Sequence, residues 1–347
     1  MADRNRVFFY RLNPLTARSI EPALAVVYFL MVLVFSLVNP QFFSFVNFKA
    51  IMASSAIAGV AAIGLTPVVL TGNFDMSIGS TFGLAMVVVA KLFNVSEVTI
   101  PVAFIIFAAL ATGALIGAFN ALLVTVVKIN SIIVTLGTLA IFRGLTFYWS
   151  LNNISIPKEV FLQFGRYFLF DTIPLPFIYF IFLLIIGYFL LKNTRAGRNM
   201  YLVGANVKAA RLAGVDILRA QFLPFVLAGL LAALAGIINA AQVGFANSTF
   251  GTGYEFRILT IVVLGGISLT GGKGSLVGVF ISTLIVGSIS NGLALVDVPI
   301  NWRDAFLGII LIVAISVDSL QQQFKARSTL KPGKEIPTVI SGEARKT

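Results

Sequence analysis

Residues 100–127 read IPVAFIIFAALATGALIGAFNALLVTVV and contain no charged side chain. An α-helix of about 20 apolar residues crosses the ~30 Å hydrocarbon core of a bilayer, so this stretch alone predicts a membrane-spanning helix. Similar runs recur along the 347 residues, of which 58% are hydrophobic and only 11% charged, whereas an ordinary soluble domain is about 25% charged. The sequence therefore predicts an all-α, polytopic helical membrane protein with eight to ten transmembrane helices.

Ten apolar runs are candidate spans. Two of them, Ile258–Leu269 and Ala305–Val317, are too short to cross the hydrocarbon core alone, so they require flanking residues or a broken helix. The ten runs are Ala23–Val38, Ala50–Leu70, Ile78–Phe93, Ile100–Val127, Ser131–Ser150, Ile173–Leu191, Gln221–Val243, Ile258–Leu269, Ser275–Val296 and Ala305–Val317.

The positive charges, which give the chain a formal net charge of +12, are concentrated in three polar segments. Even numbers of predicted spans separate these segments, so all three lie on one side of the membrane, and the positive-inside rule assigns that side to the cytoplasm. We therefore expect a cytoplasmic N-terminal segment (1–22), a transmembrane domain (23–318) with a cytoplasmic loop at 192–220, and a flexible cytoplasmic tail (319–347). The excess of Lys and Arg is then explained by cytoplasmic ends and loops, where membrane proteins collect these residues, so we expect contact with membrane lipid and no nucleic-acid partner. The clusters are Arg4, Arg6, Arg11 and Arg18; Lys192, Arg195, Arg198, Lys208, Arg211 and Arg219; and Lys325, Arg327, Lys331, Lys334, Arg345 and Lys346.

The residue types that are missing exclude several classes of enzyme. The chain has no Cys and no His, so it cannot form a Ser-His-Asp triad, an HExxH zinc site or a thiolate nucleophile. The glycine-rich stretch 262–275 is not a phosphate-binding loop, because Lys273 is followed by Gly274 and not by Ser or Thr. We therefore predict no catalytic residue, no metal site and no cofactor, and we expect the protein not to be an enzyme.

The stretch 70–80, LTGNFDMSIGS, lies between two apolar runs and is rich in glycine and polar residues. A carboxylate so close to the bilayer is costly and should face water, a partner or a solute. Asn73, Asp75 and Ser77 are therefore candidates for a translocation path that borders a break in the helix. A short cytoplasmic turn in which Asp75 or Ser77 caps the next helix is an equally good interpretation.

Three further polar residues interrupt apolar runs. Arg143 must pair, extend to the interface or face a pore, and extension to the interface is favoured over a role in solute contact. Asn120 and Asn291 can bind a polar solute, although hydrogen bonds between helices are the commoner use of such amides. All three join the candidates for the translocation path.

Two patterns indicate packing more than function. The pairs Gly79/Gly83, Gly113/Gly117 and Gly274/Gly278 have the small-xxx-small spacing that lets helices approach closely. Leu70-Thr71-Gly72 recurs as Leu269-Thr270-Gly271, as repeated transporter halves would produce. Chance similarity in a sequence rich in Gly and Leu explains the recurrence equally well, so it carries no conclusion.

Residues 204–214, GANVKAARLAG, form a short helix in the expected cytoplasmic loop. Asn206 is a candidate N-cap, alanines favour the helix, and Gly214 is a candidate stop. Such a helix can fill a groove on a partner. The alternative is a connecting helix that lies on the lipid surface with its basic residues on anionic headgroups.

Five blocks in this order identify a resemblance that covers about Ile20–Asp318. The chain resembles the permease subunits of ribose-type ABC importers, a family that also includes carriers of xylose, arabinose, galactose, rhamnose and autoinducer-2. At Asn73 and Phe74 the family often has Gly and Ile, so the resemblance leaves the solute open. The blocks are TGNFDMSIGS at 71–80, IVTLGTL at 133–139 with Arg143-Gly144, GANVKAARLAG at 204–214, GTGYE at 251–255 and VLGGISLTGG at 263–272.

The resemblance implies roles for two of these blocks. The block 204–214 matches the family's coupling helix, which docks into a separate ATP-binding subunit. The block with Asn73 and Asp75 matches the family's signature near the translocation path. The roles of single residues in the blocks 251–255 and 263–272 stay unassigned. The implied coupling residues are Gly204, Asn206, Ala209, Ala210, Arg211 and Gly214.

The function expected from the resemblance is that of the membrane permease of an ATP-driven ABC importer for a monosaccharide or a similar small polar solute. Its partners would be an ATP-binding subunit, a periplasmic or lipid-anchored substrate-binding protein and a second permease copy, in the bacterial plasma (inner) membrane. The alternatives are an ABC permease for a nucleoside, autoinducer-2 or a branched-chain amino acid, or an ion-coupled secondary transporter. The last is disfavoured because Asp75 is the only clearly embedded acid and His is absent.

Overall fold

The computed structural model describes residues 20–95 and 100–329, and these form an almost entirely helical bundle. The described chain contains 13 α-helices, one short 3-10 helix at Pro40–Phe43 and four two-residue strands. The α-helices are α1 Glu21–Val38, α2 Phe45–Leu70, α3 Ile78–Phe93, α4 Val102–Thr125, α5 Ser131–Trp149, α6 Glu159–Arg166, α7 Leu175–Asn193, α8 Arg195–Ala205, α9 Val207–Leu212, α10 Ile217–Val243, α11 Tyr254–Leu264, α12 Leu276–Leu295 and α13 Ile300–Thr329. The strands are β1 Ile154–Ser155, β2 Phe168–Leu169, β3 Ile173–Pro174 and β4 Phe245–Ala246.

Each predicted span overlaps a helix of the structure. Within the described residues, seven helices are long and apolar enough to cross a membrane, namely α1, α2, α4, α5, α7, α10 and α12. The other three predicted spans correspond to the shorter α3, to α11 with only 11 residues, and to the apolar part of α13. The prediction of an all-α, polytopic membrane fold is confirmed. Flanking residues and a broken helix were both left open for Ile258–Leu269, and the structure shows a short helix, α11, with irregular backbone on each side.

Helices α2 and α10 form the centre of the bundle. Helix α2 is buried along almost its whole length and packs against α7, α10, α11 and α12, whereas α1 is mostly exposed at the periphery. Helices α10 and α4 approach closely at Gly113 and Gly117, where a methyl group on either glycine would overlap a carbonyl oxygen of α10. This confirms the close contact predicted from the small-xxx-small spacing of that pair.

The two ends of the bundle differ. One end, which we call the α6 end, carries α6, the β2–β3 pair and the antiparallel pair of β1 with β4. Arg166 at the end of α6 donates from Nε to the Gln242 carbonyl oxygen at 2.9 Å and from Nη2 to the Val243 carbonyl oxygen at 3.1 Å. It thereby satisfies carbonyl groups that the C-terminus of α10 leaves without an intrahelical partner. The opposite end, which we call the α9 end, carries α8 and α9.

The predicted segment boundaries differ from the structure at the C-terminal side. Helix α13 continues to Thr329, so the backbone of residues 319–329, assigned above to a flexible tail, is helical. The prediction was wrong there because it ended the helix with the apolar run, although a helix can continue past that run with polar residues. Residues 1–19 and 330–347, and with them most of the predicted N-terminal segment and tail, lie outside the described residues.

Candidate translocation site and docking segment

The α2–α3 break, residues 71–77, is held by side-chain hydrogen bonds. Asp75 is only 3% exposed, and its Oδ1 accepts from the Ser77 backbone N–H at 2.9 Å and from the Ser77 hydroxyl at 2.6 Å. Gly72 has φ +77°, which allows the chain to turn sharply after α2. Ser77 is the N-cap residue of α3 but makes no side-chain cap hydrogen bond. The Asp75 oxygen accepts the N–H of the residue two positions later, as a capping carboxylate does, so the capping interpretation and the translocation-path interpretation both stay open.

Neighbouring helices complete this cluster. Asn120 on α4 donates from Nδ2 to the Ser77 hydroxyl at 2.8 Å, and the Ser131 hydroxyl at the start of α5 accepts from the Phe74 N–H at 3.1 Å. The Oδ1 atom of Asn120, a fully buried residue, has no hydrogen-bond partner within the described chain. The structure thus brings together Asp75, Ser77 and Asn120 from the predicted candidates.

Asn73 lies in the same break but outside this cluster. Its Nδ2 donates to the Thr71 hydroxyl at 3.2 Å, and its side chain is partly exposed.

A second irregular stretch enters the bundle from the α6 end. This re-entrant segment, residues 244–253, includes β4 near its start and ends at the N-terminus of α11. Gly251 packs directly on the backbone of Gly79 in the first turn of α3, and Phe250 packs on Gly83. The segment therefore reaches from the α6 end to the turn of α3 that follows the α2–α3 break. Irregular backbone at membrane depth requires partners for its polar groups inside the protein.

Arg143 supplies two of these partners. Its Nη1 donates to the Phe250 carbonyl oxygen and its Nη2 to the Gly251 carbonyl oxygen, each at 2.7 Å. Of the possibilities left open by the sequence, the structure shows pairing, with backbone carbonyl groups as the partners. Extension to the interface, which the sequence analysis favoured, was wrong because a sequence pattern does not show which carbonyl groups another segment leaves free.

Glu255 is a buried acid that the sequence analysis did not select. It lies in the first turn of α11, is 7% exposed, and its Oε2 touches Gly79 without a hydrogen-bond partner among the described residues. Asp75 is therefore not the only embedded acid. An acid three residues before the apolar run that starts at Ile258 was the available signal, and its role was left unassigned.

Asn291 lies apart from both irregular stretches, toward the α6 end of α12. It is partly buried, and its Oδ1 has no hydrogen-bond partner in the described part of the chain. The structure does not bring Asn291 to Asp75 or Arg143.

The short helix predicted in the loop at the α9 end is present as α9, with both of its predicted ends. Asn206 Oδ1 accepts from the Ala209 N–H at 3.0 Å, and Gly214 follows the helix with φ +76°. Ala210 is buried against Val203 and Ala220, which fixes one side of the helix to the bundle.

The remaining predicted coupling residues lie at the surface or at its base. Ala209, Arg211 and Gly214 are exposed, and Leu212 beside them is 91% exposed, so α9 presents an apolar side chain among basic ones to the outside. Gly204 lies at the end of α8, where a methyl group would overlap the Leu70 carbonyl oxygen.

Comparison with known proteins supports one family. The family described as "Branched-chain amino acid transport system / permease component" matches residues 47–315. Relatives include the autoinducer 2 import system permease protein LsrC of Enterobacter sp. (strain 638), 38% identical over 300 residues that cover 83% of each chain. The ribose import permease protein RbsC of Bacillus subtilis is 38% identical over 84% of this chain and 90% of its own length, and that of Escherichia coli K12 is 34% identical over 84% and 91%. No solved structure gives a significant match.

Proposed function

We propose that this chain, which belongs to the family of branched-chain amino acid transport system permease components, forms the translocation path of an ABC importer for a monosaccharide or a similar small polar solute. The observation that carries the proposal is its identity of 34–38% with ribose and autoinducer 2 import permeases over more than four fifths of its length. The resemblance found in the motifs is thereby confirmed. An ion-coupled secondary transporter is not favoured by these relatives.

The buried polar groups suit a neutral, hydroxyl-rich solute. Both charged side chains are engaged inside the protein, since Arg143 donates to two backbone carbonyl groups and Asp75 accepts two hydrogen bonds from Ser77. The break cluster instead offers hydroxyl, amide and carboxylate groups, which can exchange hydrogen bonds with solute hydroxyl groups. We assign Asn73, Asp75, Ser77 and Asn120 to the path, Arg143 to the support of the re-entrant segment, and Asn291 to the path at the α6 end.

The α9 end faces the cytoplasm in this proposal and binds the ATP-binding subunit. Helix α9 is exposed, basic and capped at Asn206, and its Leu212 side chain fits a groove on a partner protein. Closure of the ATP-binding subunits moves α9 as a lever, and two permease copies expose their shared cavity to alternate sides of the inner membrane. A substrate-binding protein delivers the solute at the α6 end, outside the cytoplasm.

Uptake by reconstituted vesicles tests the transport function. The chain, its neighbouring ATP-binding subunit and its substrate-binding protein are reconstituted together in vesicles. ATP is supplied on the side of the membrane that α9 faces, and uptake of labelled ribose and related sugars is measured. We expect uptake that needs ATP and persists with an uncoupler. Uptake that an uncoupler abolishes while ATP stays high would contradict the proposal and support ion coupling.

A bulky substitution tests the docking role of α9. Gly214→Trp should leave membrane insertion intact and abolish co-purification of the ATP-binding subunit, because Trp cannot adopt the positive φ of Gly214 without strain and projects from the docking surface. Leu151→Trp, at a 79% exposed position of the α6 end, is the matched control and should keep the subunit bound. An unaffected complex with Gly214→Trp would refute the docking role.

A further inference from the structure

Three backbone segments meet at the base of α9 with almost no side chain between them. The first is the end of α8 at Gly204 and Ala205, the two residues that precede the Asn206 cap of α9. The second is the end of α2 and the start of the α2–α3 break, at residues 70–72. The third is the loop between α11 and α12, at Gly271 and Gly272.

The contacts among these segments are backbone to backbone. The Gly272 N–H donates to the Leu70 carbonyl oxygen at 2.8 Å. A methyl group on Gly204 would overlap that same oxygen and lie 2.5 Å from the Gly272 nitrogen. A methyl group on Gly271 would lie 2.8 Å from the Gly72 nitrogen and 3.0 Å from the Gly204 Cα. Each of these positions therefore requires glycine, because another main chain lies where a side chain would be.

A contact of this kind allows little relative movement of its segments. Side chains between helices absorb a displacement by changing rotamer, whereas close-packed main chains transmit it. Tyr201 adds a second attachment one turn earlier on α8, because its hydroxyl donates to the Gly274 carbonyl oxygen at 3.0 Å. A displacement of α9 must therefore move the end of α2 and the loop between α11 and α12 together with α8.

The α2–α3 break continues directly from this contact, and the re-entrant segment is connected to it through α11. Residues 70–72 lead into the α2–α3 break with Asp75 and Ser77. Residues 271–272 follow α11, whose opposite end carries Glu255 and the re-entrant segment. The two copies of the Leu-Thr-Gly pattern, at 70–72 and 269–271, are thus brought into contact beside α9.

We propose that Gly204, Gly271 and Gly272 form a coupling joint, a set of positioning residues through which the movement of α9 reaches both the break and the re-entrant segment. The proposal rests on the proposed function, since it requires that α9 receives the movement of an ATP-binding subunit. It adds which residues pass that movement on.

The first test separates coupling from docking and folding. Gly204→Ala is compared with Gly308→Ala, in a helix where a methyl group meets no atom within 4 Å in the described chain. Both complexes are reconstituted with the ATP-binding subunit and the substrate-binding protein, and bound subunit, ATP hydrolysis and uptake per ATP are measured. We expect G204A to keep the subunit and hydrolyse ATP, with uptake per ATP lowered about tenfold, as for a typical loss of coupling between sites. G308A should behave as the wild type.

The outcomes are distinct for the two proposals. A wild-type complex that takes up no solute with ATP contradicts the proposed function before any variant is compared. A wild-type ratio of uptake to ATP in a folded G204A complex overturns the joint and leaves the proposed function in place.

A second measurement avoids any change in the joint itself, in case G204A does not fold. The chain has no cysteine, so spin labels can be placed at Lys208→Cys on α9 and Met76→Cys in the break, with excess unlabelled chain to isolate distances within one copy. The distances are measured in the nucleotide-free and in the vanadate-trapped complex. The distance between the labels at Lys208→Cys and Met76→Cys should stay constant, whereas the distance between the labels at Lys208→Cys and Lys158→Cys, at the α6 end, should change. A change as large in the first distance as in the second would overturn the joint.

Discussion

The α2–α3 break and the re-entrant segment are both irregular stretches inside a helical bundle, but they are stabilised in different ways. The break is held by several hydrogen bonds that involve Asp75, Ser77, Asn120 and Ser131, contributed by three different elements. The inner part of the re-entrant segment, at Phe250 and Gly251, is held by one side chain, Arg143, together with glycines of α3 that let its backbone approach, whereas its outer part pairs with β1 and bonds Asn153. The break should therefore tolerate the loss of a single partner, and the re-entrant segment should not.

The loss of Arg143 should have the largest effect. Arg143→Met removes two hydrogen bonds from a charged donor and leaves the Gly251 carbonyl oxygen with only the Tyr254 N–H, which predicts a loss of about 3 kcal/mol or more in stability. Arg143→Lys keeps the charge but not the two-pronged geometry, so it should recover only part of the loss. Thermal unfolding in detergent and ATP-driven uptake measure the effect. An R143M protein as stable as the wild type would show that the segment does not depend on this residue.

A methyl group between α3 and the re-entrant segment should have the next largest effect. In Gly83→Ala the added carbon would overlap the Phe250 carbonyl oxygen, so the segment must shift, at a cost of about 1–3 kcal/mol. In Gly308→Ala the same change should instead stabilise the helix slightly. The melting temperature should fall for Gly83→Ala and rise slightly for Gly308→Ala. A rise for both variants would contradict the close approach seen at Gly83.

The removal of Asp75 should cost less than the removal of Arg143. Asp75→Ala loses the two hydrogen bonds from Ser77, yet the Asn120 and Ser131 contacts remain, which predicts a loss of about 1–2 kcal/mol. Asp75→Asn keeps one acceptor oxygen and should be milder in stability. The same unfolding assay tests both variants, and a D75A loss larger than that of R143M would reverse the comparison.

The smallest effect is expected at Asn120. Asn120→Ala removes one hydrogen bond to Ser77, worth about 0.6 kcal/mol between membrane helices, and also removes an unpaired buried oxygen. Stability should change by less than this amount, although uptake should fall if the amide contacts the solute. A large loss of stability with unchanged uptake would assign Asn120 to packing alone.

The sequence was sufficient for features that depend on local composition. The ten apolar runs and the cap residues Asn206 and Gly214 were found because each is determined by a few neighbouring residues. The same holds for the polar break around Asp75.

Features created by contacts between distant segments were not accessible in this way. The pairing of β1 with β4, the burial of Glu255 and the carbonyl partners of Arg143 join residues far apart in the chain. The recurrence of Leu-Thr-Gly was visible in the sequence, but only the contact between its two copies gives it meaning.

The central position of α2 has a consequence for biogenesis. Helix α2 is synthesised long before α10 and α12, which later surround it, so it must first reside in lipid on its own. Two of its three hydroxyl groups suit that interval, because Ser54 and Thr66 donate to carbonyl oxygens of the same helix at 3.3 and 2.7 Å, whereas Ser55 has no partner in the described chain. Its mean hydropathy of 1.9 favours insertion. Insertion of each helix can thus precede assembly of the bundle, and α2 becomes the core of the protein only after the later helices have inserted and packed against it.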